Sequence, residues 1–261
     1  MISVKIKRCA GAALAAGAVL YCVYLFLPHP APRNVPRLVA GMEIFSDGQT
    51  KENAEQLENA LRIFEQACET DSRSYEAWHM RCVTEFHLLL LNRDRSGRPA
   101  EEETGKYSSA VEHSALKVTS LQSKFAEPYA LLAAVTGMRA AKRGSAAAVR
   151  RYDSLALMLG SDNPRVHYLT GIRYHLGRGR QHNEDKAEEM FLKASELFER
   201  EPPGARPFNF PSWGHDRCLM YLGDIQLGRG DRKKAAGFYR RALAVNPFLK
   251  SAREALKKLS D

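Results

Sequence analysis

The sequence predicts an all-α protein, with one transmembrane helix at the amino terminus followed by a helical-repeat solenoid of about five helix pairs. Three observations carry this reading. Cys9 to Leu27 is a 19-residue run without a charged side chain. Beyond it apolar residues recur at spacings of three and four, and no two alternating β-branched runs are joined by a hairpin turn. A ladder of alanine, aromatic and alanine also returns along the chain, at Ala60-Phe64-Ala67, Ala187-Phe191-Ala194 and Ala235-Tyr239-Ala242. Composition fits a folded chain: 44% of the 261 residues are hydrophobic and 26% charged, which excludes a disordered tail. Five cysteines in this length exclude a disulfide-built scaffold, and the formal net charge is +9.

A helix over residues 9–27 spans roughly 28 Å at ~1.5 Å per residue, close to the ~30 Å hydrocarbon core of a bilayer. Residues 1–8 supply Lys5, Lys7 and Arg8 as a basic flank, and Tyr21, Tyr24 and Phe26 gather near the far end as interfacial aromatics do. A cleaved signal peptide fits poorly, because Leu25-Phe26-Leu27-Pro28 offers no small-x-small site. A lipoprotein signal fits poorly as well, because Tyr21 precedes Cys22. An uncleaved signal anchor remains. The basic flank favours a cytoplasmic short end, although Arg33 and Arg37 follow the span. The expectation is a single-pass protein of the inner (cell) membrane whose large domain is periplasmic or otherwise extracytoplasmic. Residues 28–39, with Pro28, Pro30, Pro32 and Pro36, read as a stiff spacer, and residues 40–261 as the helical-repeat domain.

Within that domain each pair has local punctuation. The Ala60 ladder is a second helix, and Trp78 opens the next first helix, through about Leu91. Asn92 to Gly105 reads as a polar insertion ahead of a helix from about Lys106 to Gln122. Pro128 to Ala141 and Ser145 to Leu159 form a pair closed by Asp162-Asn163-Pro164. Thr170-Gly171 and Tyr174 begin the next pair, and the Ala187 ladder completes it. A loop from Glu201 to Trp213 interrupts the array. The last pair runs Leu219, Leu222, Ile225, Gln226, then Ala235, Phe238, Tyr239, Ala242, Leu243, parted by Gly228-Arg229-Gly230-Asp231. Small residues at Gly223, Ala235 and Ala242 let these two helices approach closely, and Pro247 ends the second. Leu249 to Leu259 reads as a cap with Lys250, Arg253, Lys257 and Lys258 outward.

Residues 216–249 resemble one tetratricopeptide repeat (TPR), through Leu222-Gly223, Gly230, the Ala235-Tyr239-Ala242 ladder and Pro247. Leu219 stands where tryptophan is usual, and Gln226 where an aromatic is. The weaker units are in phase, so the resemblance, to a membrane-anchored bacterial type of this family, covers most of residues 40–259. It implies a right-handed superhelix whose first helices make a concave, ligand-bearing face. Carried over on the repeat phase, that face takes in His79, Phe86, Arg165, Tyr168, His175, Arg217 and Met220. Aromatic and basic groups together suit an extended peptide carrying an acidic group. The Lys/Asn set with which some of these proteins clamp a C-terminal carboxylate is missing.

Other candidate chemistry is sparse. His79 and His87, and His167 and His175, are eight residues apart, so each pair is separated by ~12 Å along a helix and cannot share a metal ion. The cysteines have no metal spacing, and a Cys68–Cys82 disulfide is conceivable between adjacent helices. Gly177-Arg178-Gly179 follows a helix rather than a strand, and no hydrolase or metalloprotease motif occurs. No catalysis, cofactor, metal or nucleic acid is expected. From Arg217 to Lys258 there are eleven Lys or Arg and three acids, and Arg139 to Arg151 adds five basic residues and no acid. This is either a solvated face or a surface for an acidic partner or anionic lipid. The loop with Pro202, Pro203, Pro207 and Pro211 carries Phe208, Phe210 and Trp213, which either staple it onto the stack or form a recognition edge. The functional expectation is a membrane-anchored scaffold binding a protein or peptide partner. The alternative is a solute-binding or transporter-accessory helical-repeat subunit holding a small anion in a pocket of Arg165, Tyr168 and Arg217.

Overall fold

The computed structural model describes residues 35–96, 101–139, 145–177, 179 and 182–260, without the side chains of 94–96, 101–104 and 260. The transmembrane segment predicted over 9–27, its basic flank and most of the spacer lie outside the described residues. No described helix is long and apolar enough to cross a membrane.

The described residues are helical, with no strand among them. Five pairs follow one another: α1 (Val35–Thr50) with α2 (Ala54–Thr70), α3 (Tyr75–Ser96) with α4 (Glu101–Leu121), α5 (Ala126–Met138) with α6 (Ser145–Leu159), α7 (Pro164–Leu176) with α8 (Glu184–Arg200), and α9 (His215–Gly228) with α10 (Arg232–Val245). Helix α11 (Lys250–Ser260) caps the last pair. Two boundaries depart from expectation. Val35 to Val39, read as the end of the spacer, are the first turns of α1, with Leu38 wholly buried. The polar stretch after Asn92 is largely helix, since α3 runs to Ser96 and α4 begins at Glu101.

Short polar side chains start the helices. Asn53 accepts from the amides of Glu55 and Gln56, Asn183 from that of Lys186, and Asp231 from that of Lys234. Asn163 caps α7 through the Arg165 amide, with Pro164 in the first turn, where its missing N–H costs nothing. Glycines then set the spacing within pairs. A Cβ on Gly41 would lie 2.7 Å from the Phe64 ring, one on Gly171 2.6 Å from Phe191, and one on Gly223 2.5 Å from Tyr239. The aromatic of the recurring ladder thus rests on the bare backbone of its partner helix. At the cap, Leu249 just ahead of α11 and Ala252 within it are buried, and Lys250, Arg253, Lys257 and Lys258 are exposed.

The stack also meets itself. The α1–α2 turn reaches the last pair and the cap: Gln49 Nε2 donates to Ser212 O at 3.0 Å, and Asn246 Nδ2 to Thr50 O at 3.0 Å. Arg217 Nη2 donates to Glu52 Oε1 at 2.9 Å. The same carboxylate accepts from the amide and hydroxyl of Ser251, at 3.1 and 2.9 Å.

Candidate functional site

The face formed by the first helices is occupied by the chain's own segment 201–214, which leaves α8, crosses this face and enters α9. Its aromatics are inserted. Phe210 and Trp213 are each 3% exposed, and Phe208 packs partly buried beside Phe210, so the loop is stapled onto the stack. Phe210 lies 4.7 Å from the His79 ring and stacks at 6.3 Å on Phe125. Trp213 sits edge-on to His87 at 5.4 Å and to Tyr168 at 6.0 Å. Arg206, 8% exposed, forks through Nη2 onto both Glu127 oxygens at 2.9 and 2.8 Å, and Nη1 donates to the Pro211 carbonyl. From below, Arg165 donates to both Glu201 oxygens at 2.6 and 2.9 Å and to Ser212 Oγ at 3.0 Å.

Six of the seven residues expected on the concave face are buried, and His175 is half-buried. His79 is fully buried, with Nε2 3.2 Å from Glu127 Oε2. Burial pulls its pKa below the usual imidazole value, against the pull of Glu127. Phe86 is fully buried beside His87. Arg165 and Tyr168 are each 1% exposed and share Trp213, whose ring centroid is 5.9 Å from the guanidinium and 6.0 Å from the phenol ring. Burial pushes the Tyr168 phenol well up. Arg217 is spent on Glu52, and Met220 Sδ accepts from the Ser251 hydroxyl at 3.0 Å. His175 stands apart at the far end of α7, against Phe191 and Tyr221, and burial lowers its pKa to about 4. Loop 201–214 therefore brings His79, Arg165 and Tyr168 together, and Glu52 with Ser251 links Arg217 to Met220.

Glu127, Arg206, Glu201 and Glu52 complete these networks without having stood out in the sequence, and His87, weighed there only as a metal ligand, joins them against Trp213. Glu127 carried one signal: it is an acid at the head of an otherwise apolar helix, Ala126–Met138. Burial alone would raise its carboxyl, but Arg206 and His79 outweigh burial and hold it far below the usual range.

A cavity of about 380 Å³ opens beside the loop, lined by Asn163, Arg165, Arg200, Glu201, Arg206 and Pro207 among others. Tyr168 and Arg217 do not line it. No group of three His, Cys, Asp or Glu that could hold a metal occurs among the described residues. Cys68, Cys82 and Cys218 are free and buried, and burial pushes the Cys68 thiol up to about 12. On the outside, Arg229 pairs with Asp185 and Glu188, and Arg241 with Glu199. Lys233, Arg240, Lys250, Lys257 and Lys258 point into solvent.

No protein-family model and no curated protein sequence matches the chain. Solved structures do. TTC0263, a thermophilic TPR protein in Thermus thermophilus, is 18% identical, covering 88% of this chain and 98% of its own, with a TM-score of 0.59. The MamA protein is 19% identical, covering 80% of this chain and 91% of its own, with a TM-score of 0.35. The first likeness shows the fold, a TPR-like helical repeat.

Proposed function

We propose that this chain is a non-enzymatic interaction scaffold, tethered to the cell membrane by residues 9–27, that holds a protein or peptide partner on the face made by its first helices. One observation supports this most directly. That face already holds an extended, proline-rich segment through arginine–carboxylate forks and inserted aromatics, the chemistry by which a peptide is held. The tether rests on the uncharged 19-residue run, and the basic flank supports a single-pass inner-membrane protein with its large domain periplasmic or otherwise extracytoplasmic. The exposed cations of α10 and α11 would draw in an acidic partner. The 380 Å³ cavity is the feature a small anion would use, but the arginines lining it, Arg165, Arg200 and Arg206, already carry Glu201, Glu196 and Glu127. The titrating groups behind the loop are likewise spent on one another, so no reaction is assigned.

Site-specific photo-crosslinking tests the reading. A photoreactive residue replaces exposed Pro207 in the loop or exposed Met158 in α6, in native membranes. One protein is expected to crosslink from position 207 and not from 158. Equal capture from both, or capture from 158 alone, removes the groove from the reading. Alkaline carbonate extraction tests the tether. The full chain should stay in the membrane pellet and a chain lacking residues 1–34 should not, whereas release of the full chain would end the anchored reading.

A further inference from the structure

Resting on that concave-face reading, we infer that segment 201–214 is a resident ligand of the groove, displaced when the groove takes a proline-rich segment of a partner protein carrying one arginine and two aromatics. The resident segment defines the pockets. Arg206 fills a carboxylate site made by Glu127 on α5. Phe210 fills a slot between His79 of α3 and Phe125 ahead of α5. Trp213 fills a slot between His87 of α3 and Tyr168 of α7. Ser212 adds a carbonyl to Gln49 of α1 and a hydroxyl to Arg165 of α7. The segment thus bridges the first helices of four consecutive pairs, as an extended ligand laid across a concave repeat face would.

Two features make the resident segment replaceable. Its own backbone bonds are local turns, Ala205 N to Pro202 O and Phe210 N to Pro207 O at 3.1 Å each, so side chains rather than a ladder hold it. Its backbone is also strained at Phe208, whose φ of 53° lies in the left-handed region that a bulky side chain disfavours, whereas Asn209, at 51°, is a residue that tolerates it. Gly204 and Gly214 take φ of 74° and 97°, where glycine is the residue that fits. The link must bend this way because α8 and α9 fix both of its ends. A free segment with the same anchors fills the same pockets without that bend. It must overcome the high effective concentration of a tethered competitor, so the groove admits only segments that match all three anchors.

The test uses a fluorescein-labelled peptide of residues 201–214 and the full chain, either unmodified or carrying Arg206→Ala, Phe210→Ala and Trp213→Ala together. The emptied variant should bind the peptide saturably and about tenfold or more tighter than the unmodified chain, because the binding-competent fraction limits apparent affinity. A peptide lacking the arginine and the tryptophan should not bind. A variant that is folded by circular dichroism yet does not bind overturns the inference, and so does an unmodified chain that binds as tightly as the variant. Hydrogen exchange on the unmodified chain decides the matter if the variant does not fold. Amides of Phe210, Ser212 and Trp213 should exchange about a hundredfold faster than those of Leu169 and Ile172 in α7, through local opening. Equal protection would make the segment a permanent part of the core and overturn displacement. If a partner crosslinks at position 207 while these amides stay protected in its presence, displacement is overturned and the concave-face reading stands.

Discussion

Glu127 and Arg206 are both buried and stand 79 residues apart in sequence, so each is the other's main source of compensation. Removing one partner of such a pair costs more than the pair contributes, because a charge is stranded. Arg206→Ala is therefore expected to lower unfolding stability in urea by about 3–5 kcal/mol, and Arg206→Met with Glu127→Met to recover most of it. The buried histidines set the acid limit. Burial lowers His87 from 6.5 to about 3 and His175 to about 4. Below pH 6.5 the unfolded chain takes up protons that these folded imidazoles refuse. Stability should fall as pH drops from about 6.5 towards 4, each histidine adding up to about 1.4 kcal/mol per pH unit. Urea titrations at pH 7 and 4.5 should show this. His87→Phe, among Phe45, Phe86 and Trp213, should make the fall shallower; an unchanged slope would mean His87 titrates normally.

Among elements, the glycine–aromatic contact sets how closely the two helices of a pair approach. A methyl on Gly223 would stand 2.5 Å from the Tyr239 ring, whose hydroxyl is held by Asp224 at 2.7 Å and so cannot swing aside cheaply. Gly223→Ala should cost about 1–3 kcal/mol by overpacking, measured by thermal unfolding, and Tyr239→Leu in the same chain should restore part of it. This level was the most legible in the sequence. Periodicity and capping residues alone place a helix over Ser145–Leu159, a boundary at Asn163-Pro164, and second helices at each Ala-aromatic-Ala ladder. The end of α3 was less legible: polar residues after Asn92 read as a loop, yet nothing before Ser96 forbids a solvated helical turn. The filling of the groove was legible only in its aromatics, as a loop that either staples onto the stack or forms a recognition edge; its charged anchors were not legible. The pairs Arg206–Glu127 and Arg165–Glu201 link positions 79 and 36 apart, and no periodicity relates them. The repeat phase identifies a face but not what covers it.

Over residues 36–261, contact between the first and last pairs changes how the stack should unfold. A linear repeat array is held by neighbour contacts and frays from its ends. Here Glu52, 165 residues from Arg217, ties the α1–α2 turn to α9 and α11. Glu52→Ala should speed hydrogen exchange in α1, α2, α10 and α11 and leave α5 and α7 nearly unchanged. A uniform increase would show that the ends do not act separately from the middle. The same arrangement places the two tryptophans in different roles. Trp78 lies in α3, with its indole N–H on Ser72 O at 3.2 Å and Arg81 over its ring. Trp213 is the groove's own occupant, dry and wedged between two rings. With Trp78→Phe, the emission of the chain comes from Trp213 alone. Its wavelength then reports how wet the groove is, so whatever enters or leaves that face can be followed by light without a label.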